Sequence, residues 1–209
     1  RSWETLYRPL LVLSICQLAT SLKPKLPLAT LNPRTPQFSE HTAMSVAAPR
    51  YRPNAGALIF NREKKVLCGH RVDIKGAWQP PQGGIDEGEN PVQGAAREMY
   101  EEMGLKATEH VKEVKLLDET ISYEVPPGTW LEKKGYIGQR MHWMLYFYAG
   151  EGLPPVDLSG LGGEKPEFTE VMFMTWEELL QSKLGFKRPL FERLQQIAEP
   201  EIEQYVASV

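Results

Sequence analysis

From Tyr51 onward the chain alternates short apolar runs with polar or glycine-rich turns. The runs "AGALIF" (55–60) and "KVLCGHR" (65–71) read as two strands joined by the polar turn Asn61-Arg62-Glu63, a hairpin. "AWQPPQGG" then leads into a glycine-rich loop. Residues Pro91 to Met103 read as a helix, because Asn90 suits the cap, Pro91 the first helical position and Gly104 the exit. Helical spacing puts Ala95, Met99 and Tyr100 toward a core. Next come "HVKEVKLLDE" and "RMHWMLYFYAG", the second alternating as a strand with one buried face. A loop rich in Gly and Pro runs from Gly150 to Pro166. "EVMFMTW" predicts another strand, "WEELLQ" a short helix and "KRPLFERLQQIAE" a longer one. Strands interleaved with helices on both sides predict an α/β fold, a mixed sheet sandwiched between helices, over residues 49–200, with 201–209 as a tail.

Residues 1–48 differ in kind. No Asp or Glu occurs from Thr5 to Ser39, whereas Ser, Thr, Leu, Pro and basic residues are plentiful, as in an organelle transit peptide. "LLVLSICQLA" has the look of a secretory apolar core, but the basic, proline-rich stretch after it fits that poorly. The other reading is an extension ahead of a compact protein starting at Met44. Either way the segment is expected to be disordered, and the compartment to be cytoplasm, or plastid or another organelle if the segment is a transit peptide.

The whole chain of 209 residues, 42% hydrophobic and 24% charged, is large enough for one domain with a proper core. A formal net charge of −3 argues against broad nonspecific nucleic-acid binding. Cys16 and Cys68 are too few and too far apart for a disulfide framework or a zinc site. No apolar run approaches the roughly 20 residues of a membrane helix, so no membrane partner is expected, and a monomer is favoured.

The helix concentrates its charge. Glu98, Glu101 and Glu102 fall three and four apart around a single Arg97, so like charges share one face. A solvated face is the ordinary explanation of such clustering. The preceding Gly83-Gly84 and Gly88 argue otherwise, since a cation held by carboxylates and a backbone carbonyl requires a tight, closely approaching loop. An all-oxygen donor set points to magnesium.

The full spacing is Gly83, five residues, Glu89, seven residues, Arg97-Glu98-Met99, one residue, Glu101-Glu102, one residue, Gly104-Leu105. This pattern resembles the signature of the Nudix hydrolase family at every prescribed position. The resemblance implies an α/β/α sandwich and a pyrophosphohydrolase that acts on nucleoside diphosphates linked to a further group, using one to several magnesium or manganese ions. It implies that Glu98, Glu101, Glu102 and the Gly83 carbonyl hold metal, that Glu89 and Arg97 are a structural pair, and that Gly104 closes the box.

Four further stretches are similar to one subgroup, the bacterial RNA pyrophosphohydrolases and plant-type diadenosine tetraphosphate hydrolases. They are "YRPNAG", "WQPPQGGI", "IGQRMHW", and "PEF" followed by "FKRPLFERL". That resemblance makes Glu167 a remote catalytic glutamate, as metal ligand or general base. Arg52, Arg71, Gln139 and Lys187 match substrate-binding positions, and Phe186 and Tyr136 are candidates for stacking on a base. Where the subgroup has Gln-Lys before its tryptophan, this chain has Met141 and His142, and the histidine is either a weaker, pH-dependent substitute for a permanent cation at the substrate or a satisfied core or surface residue. The second proline of "WQPPQGG" replaces a larger apolar residue and is expected to affect packing. The leading expectation is hydrolysis of diadenosine tetraphosphate to ATP and AMP. The alternatives are RNA 5′-triphosphate ends or guanosine tetraphosphate and, from another class, a noncatalytic nucleotide sensor, which predicts decay of the box glutamates that is absent here.

Overall fold

A computed structural model describes residues 50–209. The transit-peptide reading, the disorder expected of 1–48 and the start at Met44 lie outside the described residues.

Strands β1 (Tyr51–Phe60) and β2 (Val66–Arg71) form the expected hairpin, in register at Phe60 and Val66. Asn61 builds its turn: the side-chain oxygen accepts from the amides of Glu63 and Lys65, both at 3.0 Å. Two short strands follow, β3 (Trp78–Gln79) and β4 (Gln82–Gly84), then helix α1 (Pro91–Met103). After these come β5 (Lys112–Leu116), β6 (Ile121–Glu124), the single-turn helix α2 (Trp130–Lys133) and β7 (Gly138–Phe147). The chain continues through β8 (Phe168–Met174), α3 (Trp176–Gln181), a 3-10 turn (Gly185–Lys187) and α4 (Arg188–Ala207).

The sheet runs β3-β2-β1-β7-β5, with β4 also on β1, β6 also on β7 and β8 also on β2. β1 and β7 pair in parallel from Tyr51 opposite Gly138 to Phe60 opposite Phe147, while the other ladders are antiparallel, so the sheet is mixed. Alternate residues of these two strands feed two cores. Leu58, Phe60, Trp143 and Leu145 pack with α3 and α4, whereas Ala57, Ile59, Met144 and Tyr146 pack with α1. β7 is therefore buried on both faces, unlike the single buried face its alternation predicts. Its period-two signal is masked because both faces are apolar.

Three sequence expectations need correction. Tyr100 is exposed, since the covering face of α1 is made by Ala95, Met99 and Met103. β6, β3 and β4 and the turn α2 are elements the sequence reading leaves as loop. Finally, 201–207 is helix rather than tail. Pro200 removes one helical hydrogen bond, but the contacts beyond it outweigh that loss. Ile202 is fully buried, Glu201 reaches Lys115 Nζ at 2.7 Å, and the Tyr205 ring packs against Phe60 and Phe147 at 5.7 and 5.1 Å. Among the described residues no helix is long and apolar enough to cross a membrane.

If the last turns of α4 are part of the core, truncation after Pro200 lowers stability by about 4 kcal/mol, chiefly through Ile202 and Tyr205. Urea denaturation checks this. A midpoint equal to that of the full chain would mean that 201–209 is a tail after all.

Candidate active site

Helix α1 is fixed at both ends by its own sequence. Asn90 accepts from the amides of Val92 and Gln93, and the Gln93 side chain accepts in return from the Asn90 amide, all at 3.0 Å. Gly104 ends the helix in the left-handed region (φ 70°), which costs glycine nothing. Between these ends, Arg97 faces the loop. Its Nε and Nη2 donate to the Glu89 carboxylate at 3.0 and 3.1 Å, and Nη2 also donates to the Gly84 carbonyl at 2.6 Å. Its Nη1 donates to both Glu98 and Glu101 at 2.8 Å. The guanidinium thus ties loop to helix and carries the neighbouring positive charge for two box glutamates.

One cation is too few for the carboxylates gathered here. Burial pushes the Glu98 carboxyl up to about 7; Arg97 pulls it down, while Glu101 and Glu167 raise it further. Glu102 is driven well above the ordinary range, first by burial and then by Glu167 and Glu98, although it accepts the Gln82 amide at 3.1 Å. Gly83 completes this wall by lacking a side chain: a Cβ there would fall 2.3 Å from the Glu98 carboxylate. Glu167 enters from the loop before β8, held by its carbonyl accepting from Val72 (3.0 Å), with Arg71 Nη1 3.7 Å from its carboxylate. Glu98, Glu101, Glu102, Glu167 and Gly83 line one cleft of about 290 Å³.

A second cleft of about 380 Å³ adjoins it, and Arg52, Gln82, Gly83 and Glu167 line both. Arg71 lies here but is committed to Asp73 by two bonds of 2.7 and 2.8 Å. Lys187 donates to Gln79 Oε1 at 3.1 Å; burial and the Arg71 charge lower its ammonium to about 8. Phe186 stacks on Tyr123, with ring centroids 6.2 Å apart, and the Tyr123 hydroxyl donates to Gln139 Oε1. The cleft therefore has an oxygen-rich end and an aromatic, cationic end.

Two sequence candidates fall elsewhere. His142 lines neither cleft; it is beside Arg140, and burial lowers its imidazole below the usual value. Tyr136 lies under Arg50 at 5.0 Å rather than in the aromatic end, where Tyr123 takes its place. Trp130, Asn54 and Gln79 line the second cleft and were missed. Asn54 and Gln79 were on view within the quoted "YRPNAG" and "WQPPQGGI", whereas Trp130 had no signal beyond being aromatic.

A family model for the NUDIX domain matches residues 50–194. The chain belongs to the Nudix hydrolase family. An RNA pyrophosphohydrolase of Cereibacter sphaeroides is 39% identical over 149 residues, 69% of this chain and 88% of that one. Nudix hydrolase 26, chloroplastic, of Arabidopsis thaliana is 35% identical over 149 residues, 69% of this chain and 67% of that one. Among solved structures, the Escherichia coli dihydroneopterin triphosphate pyrophosphohydrolase superposes with a TM-score of 0.52 at 17% identity, covering 76% of this chain and 99% of that one, and shares the fold. The protein is thus a Nudix pyrophosphohydrolase, an enzyme of a family that generally works with divalent cations.

The donor set fits such a cation. Among the described residues no three acidic or histidine side chains already converge as a metal cluster, because Glu98 and Glu101 are turned onto Arg97. Yet the raised Glu98 and Glu102 carboxyls are what buried oxygen ligands show when positive charge is lacking. A hard divalent ion supplies that charge.

A sign follows for stability. In metal-free protein the folded state keeps the Glu98 proton between pH 4.5 and about 7, a range in which the unfolded chain has lost it. The folded state binds more protons there, so the Glu98 contribution to stability falls as pH rises through that window. Urea titrations with a chelator should show Glu98→Gln gaining on the unaltered chain between pH 5 and pH 8. A constant difference would show that Glu98 titrates normally.

Proposed function

We propose that the chain removes pyrophosphate from the 5′-triphosphate end of RNA, leaving a 5′-monophosphate. The observation that carries this reading is the continuity of the two clefts through Arg52, Gln82, Gly83 and Glu167. A polyphosphate in the carboxylate cleft would direct its nucleoside toward the second cleft, where exposed Phe186 offers an aromatic face for a base. The name of the Cereibacter relative weighs the same way. For this reason we place RNA ends ahead of diadenosine tetraphosphate, which the sequence reading ranks first and which would use the same residues.

Glu98, Glu101, Glu102, Glu167 and the Gly83 carbonyl would hold magnesium, with manganese as the substitute. When bound, such ions neutralise phosphate oxygens and make a water more acidic. The chain's own groups supply the rest. Arg97 and Glu89 fix the loop so that the Gly83 backbone stays against the helix. Arg52 and Lys187 meet the phosphate oxygens as charge-assisted donors, and Gln139, oriented by Tyr123, lines the same wall. The water oxygen forms the new bond to phosphorus as the bridging P–O bond breaks. A carboxylate of the cluster takes the water's proton and pyrophosphate departs. No covalent enzyme intermediate is involved.

Purified protein with magnesium, given 5′-triphosphorylated RNA and diadenosine tetraphosphate in parallel, should release pyrophosphate from the RNA much faster than ATP plus AMP from the dinucleotide. The reverse ranking would restore the dinucleotide reading. Changing Glu101 or Glu102 to Gln should lower turnover by about two orders of magnitude or more with little change in melting temperature. A parallel loss of stability and activity would point to a structural role.

We also propose residues 1–48 as a targeting segment, supported by the acid-free run from Thr5 to Ser39 and by the chloroplastic relative. A chain starting at Met44 should keep the turnover of the long form in vitro; a large loss would defeat this assignment.

A further inference from the structure

The three arginines facing the clefts are held in different ways. Arg97 is bound by carboxylates, and Arg71 is bound by Asp73. Arg52 is different: among the described residues its guanidinium takes part in no ion pair and in no side-chain hydrogen bond, although its backbone sits in the β1–β7 ladder. Its guanidinium lies instead against two neutral surfaces. On one side is Gly84, where an added Cβ would fall 1.8 Å from Nη2 and 2.3 Å from Cζ. The indole of Trp130 also packs against it, with its centroid 5.2 Å from Cζ.

Trp130 belongs to neither of the two buried cores. It is half-exposed (50%) at the start of a single-turn helix, and the ammonium of Lys134 also lies over its ring, at 5.2 Å. The turn that presents it is nevertheless well fixed. Leu131 is buried and its carbonyl accepts from Lys134 and Tyr136, both at 3.0 Å, while Glu132 accepts the Gly128 amide at 2.7 Å. A fixed turn therefore offers an exposed indole to an arginine at the junction of the two clefts.

The choice of partner matters chemically. A carboxylate would occupy the in-plane N–H donors and cancel the charge. An aromatic face attracts the cation through its quadrupole and leaves that edge free. We propose that Trp130 is a positioning residue for Arg52: with Gly84 it holds the guanidinium flat where the clefts meet, charged and with its donors open to a phosphate. The inference rests on the phosphate-binding role given to Arg52 above and adds what prepares that residue. It also assigns the stretch 129–134 a part in substrate affinity.

The test is a double-mutant cycle on the full chain. Binding of inorganic tripolyphosphate in the presence of magnesium is followed by calorimetry, and steady-state kinetics on 5′-triphosphorylated RNA are followed beside it. Arg52→Ala should weaken tripolyphosphate binding about tenfold or more, as expected for a lost charge-assisted contact. Trp130→Ala should weaken it about two- to fivefold, the scale of a cation–π contact, and raise KM more than it lowers kcat. Trp130→Phe, which keeps an aromatic face, should restore most of the loss. In the Arg52→Ala background, Trp130→Ala should have no further effect.

Unchanged binding in Trp130→Ala, or an equal loss with Arg52 already removed, would overturn the proposal. So would failure of the unaltered chain to bind tripolyphosphate, since Arg52 would then be no phosphate ligand. If the cycle behaves as expected but RNA is not hydrolysed, the substrate reading fails and the positioning role stands.

Discussion

Five acceptors converge on the Arg97 guanidinium, and the geometry of the carboxylate cleft follows from it. Through Glu89 and the Gly84 carbonyl it pulls the glycine loop down onto α1. Through Glu98 and Glu101 it offsets part of the repulsion that the box creates by placing acids three and four residues apart. The offset is incomplete, as the raised Glu98 and Glu102 carboxyls record. Full neutralisation would leave little drive to bind a cation. Without Arg97 the Glu98 carboxyl would be driven still further toward its protonated form. The carboxylate cluster therefore keeps an electrostatic demand that a hard cation would answer.

The sheet supplies the second constraint. The parallel pairing of β1 with β7 brings Arg52 beside Gln139, residues far apart in sequence, onto the wall of one cleft. The antiparallel pairing of β1 with β4 brings Ala55 and Gly83 together, so the loop reaches α1 from the sheet edge. Because Arg52 of β1 lines both clefts and β4, paired to β1, supplies Gln82 and Gly83 to both, the two ends are held in a fixed relation by one strand pair.

How much of this was legible in the sequence depended on the range of the interactions. The limits of α1 and the shared flank of its glutamates are set within the helix by Asn90, Pro91, Gly104 and 3.6-residue periodicity, so they could be read directly. The β1–β2 hairpin is equally local, because the Asn61 side chain bonds only to neighbouring amides. β7 was seen as a strand but not as one buried twice over, since burial of its second face depends on α1, which comes earlier in the chain. The last turns of α4 were lost because Pro200 signals a stop locally. Contacts from Lys115, Phe60 and Phe147, all distant in sequence, override it.

The same distinction explains the site. Resemblance brought out Arg52, Arg71, Lys187 and Phe186 as a set, and the fold gathers them along one cleft. It could not distinguish their states. Arg71 is neutralised by Asp73 two residues away, Lys187 is half-buried on Gln79, and Arg52 lies bare against an indole. His142, a departure from the subgroup pattern that left its role open in the sequence, is turned by the alternation of β7 away from the cleft that Gln139 lines. Residue type fixes which chemistry a side chain can do, whereas its partners fix whether the charge and donors are free to do it. On that measure Arg71 is already committed to Asp73, whereas among the described residues no carboxylate pairs with Arg52.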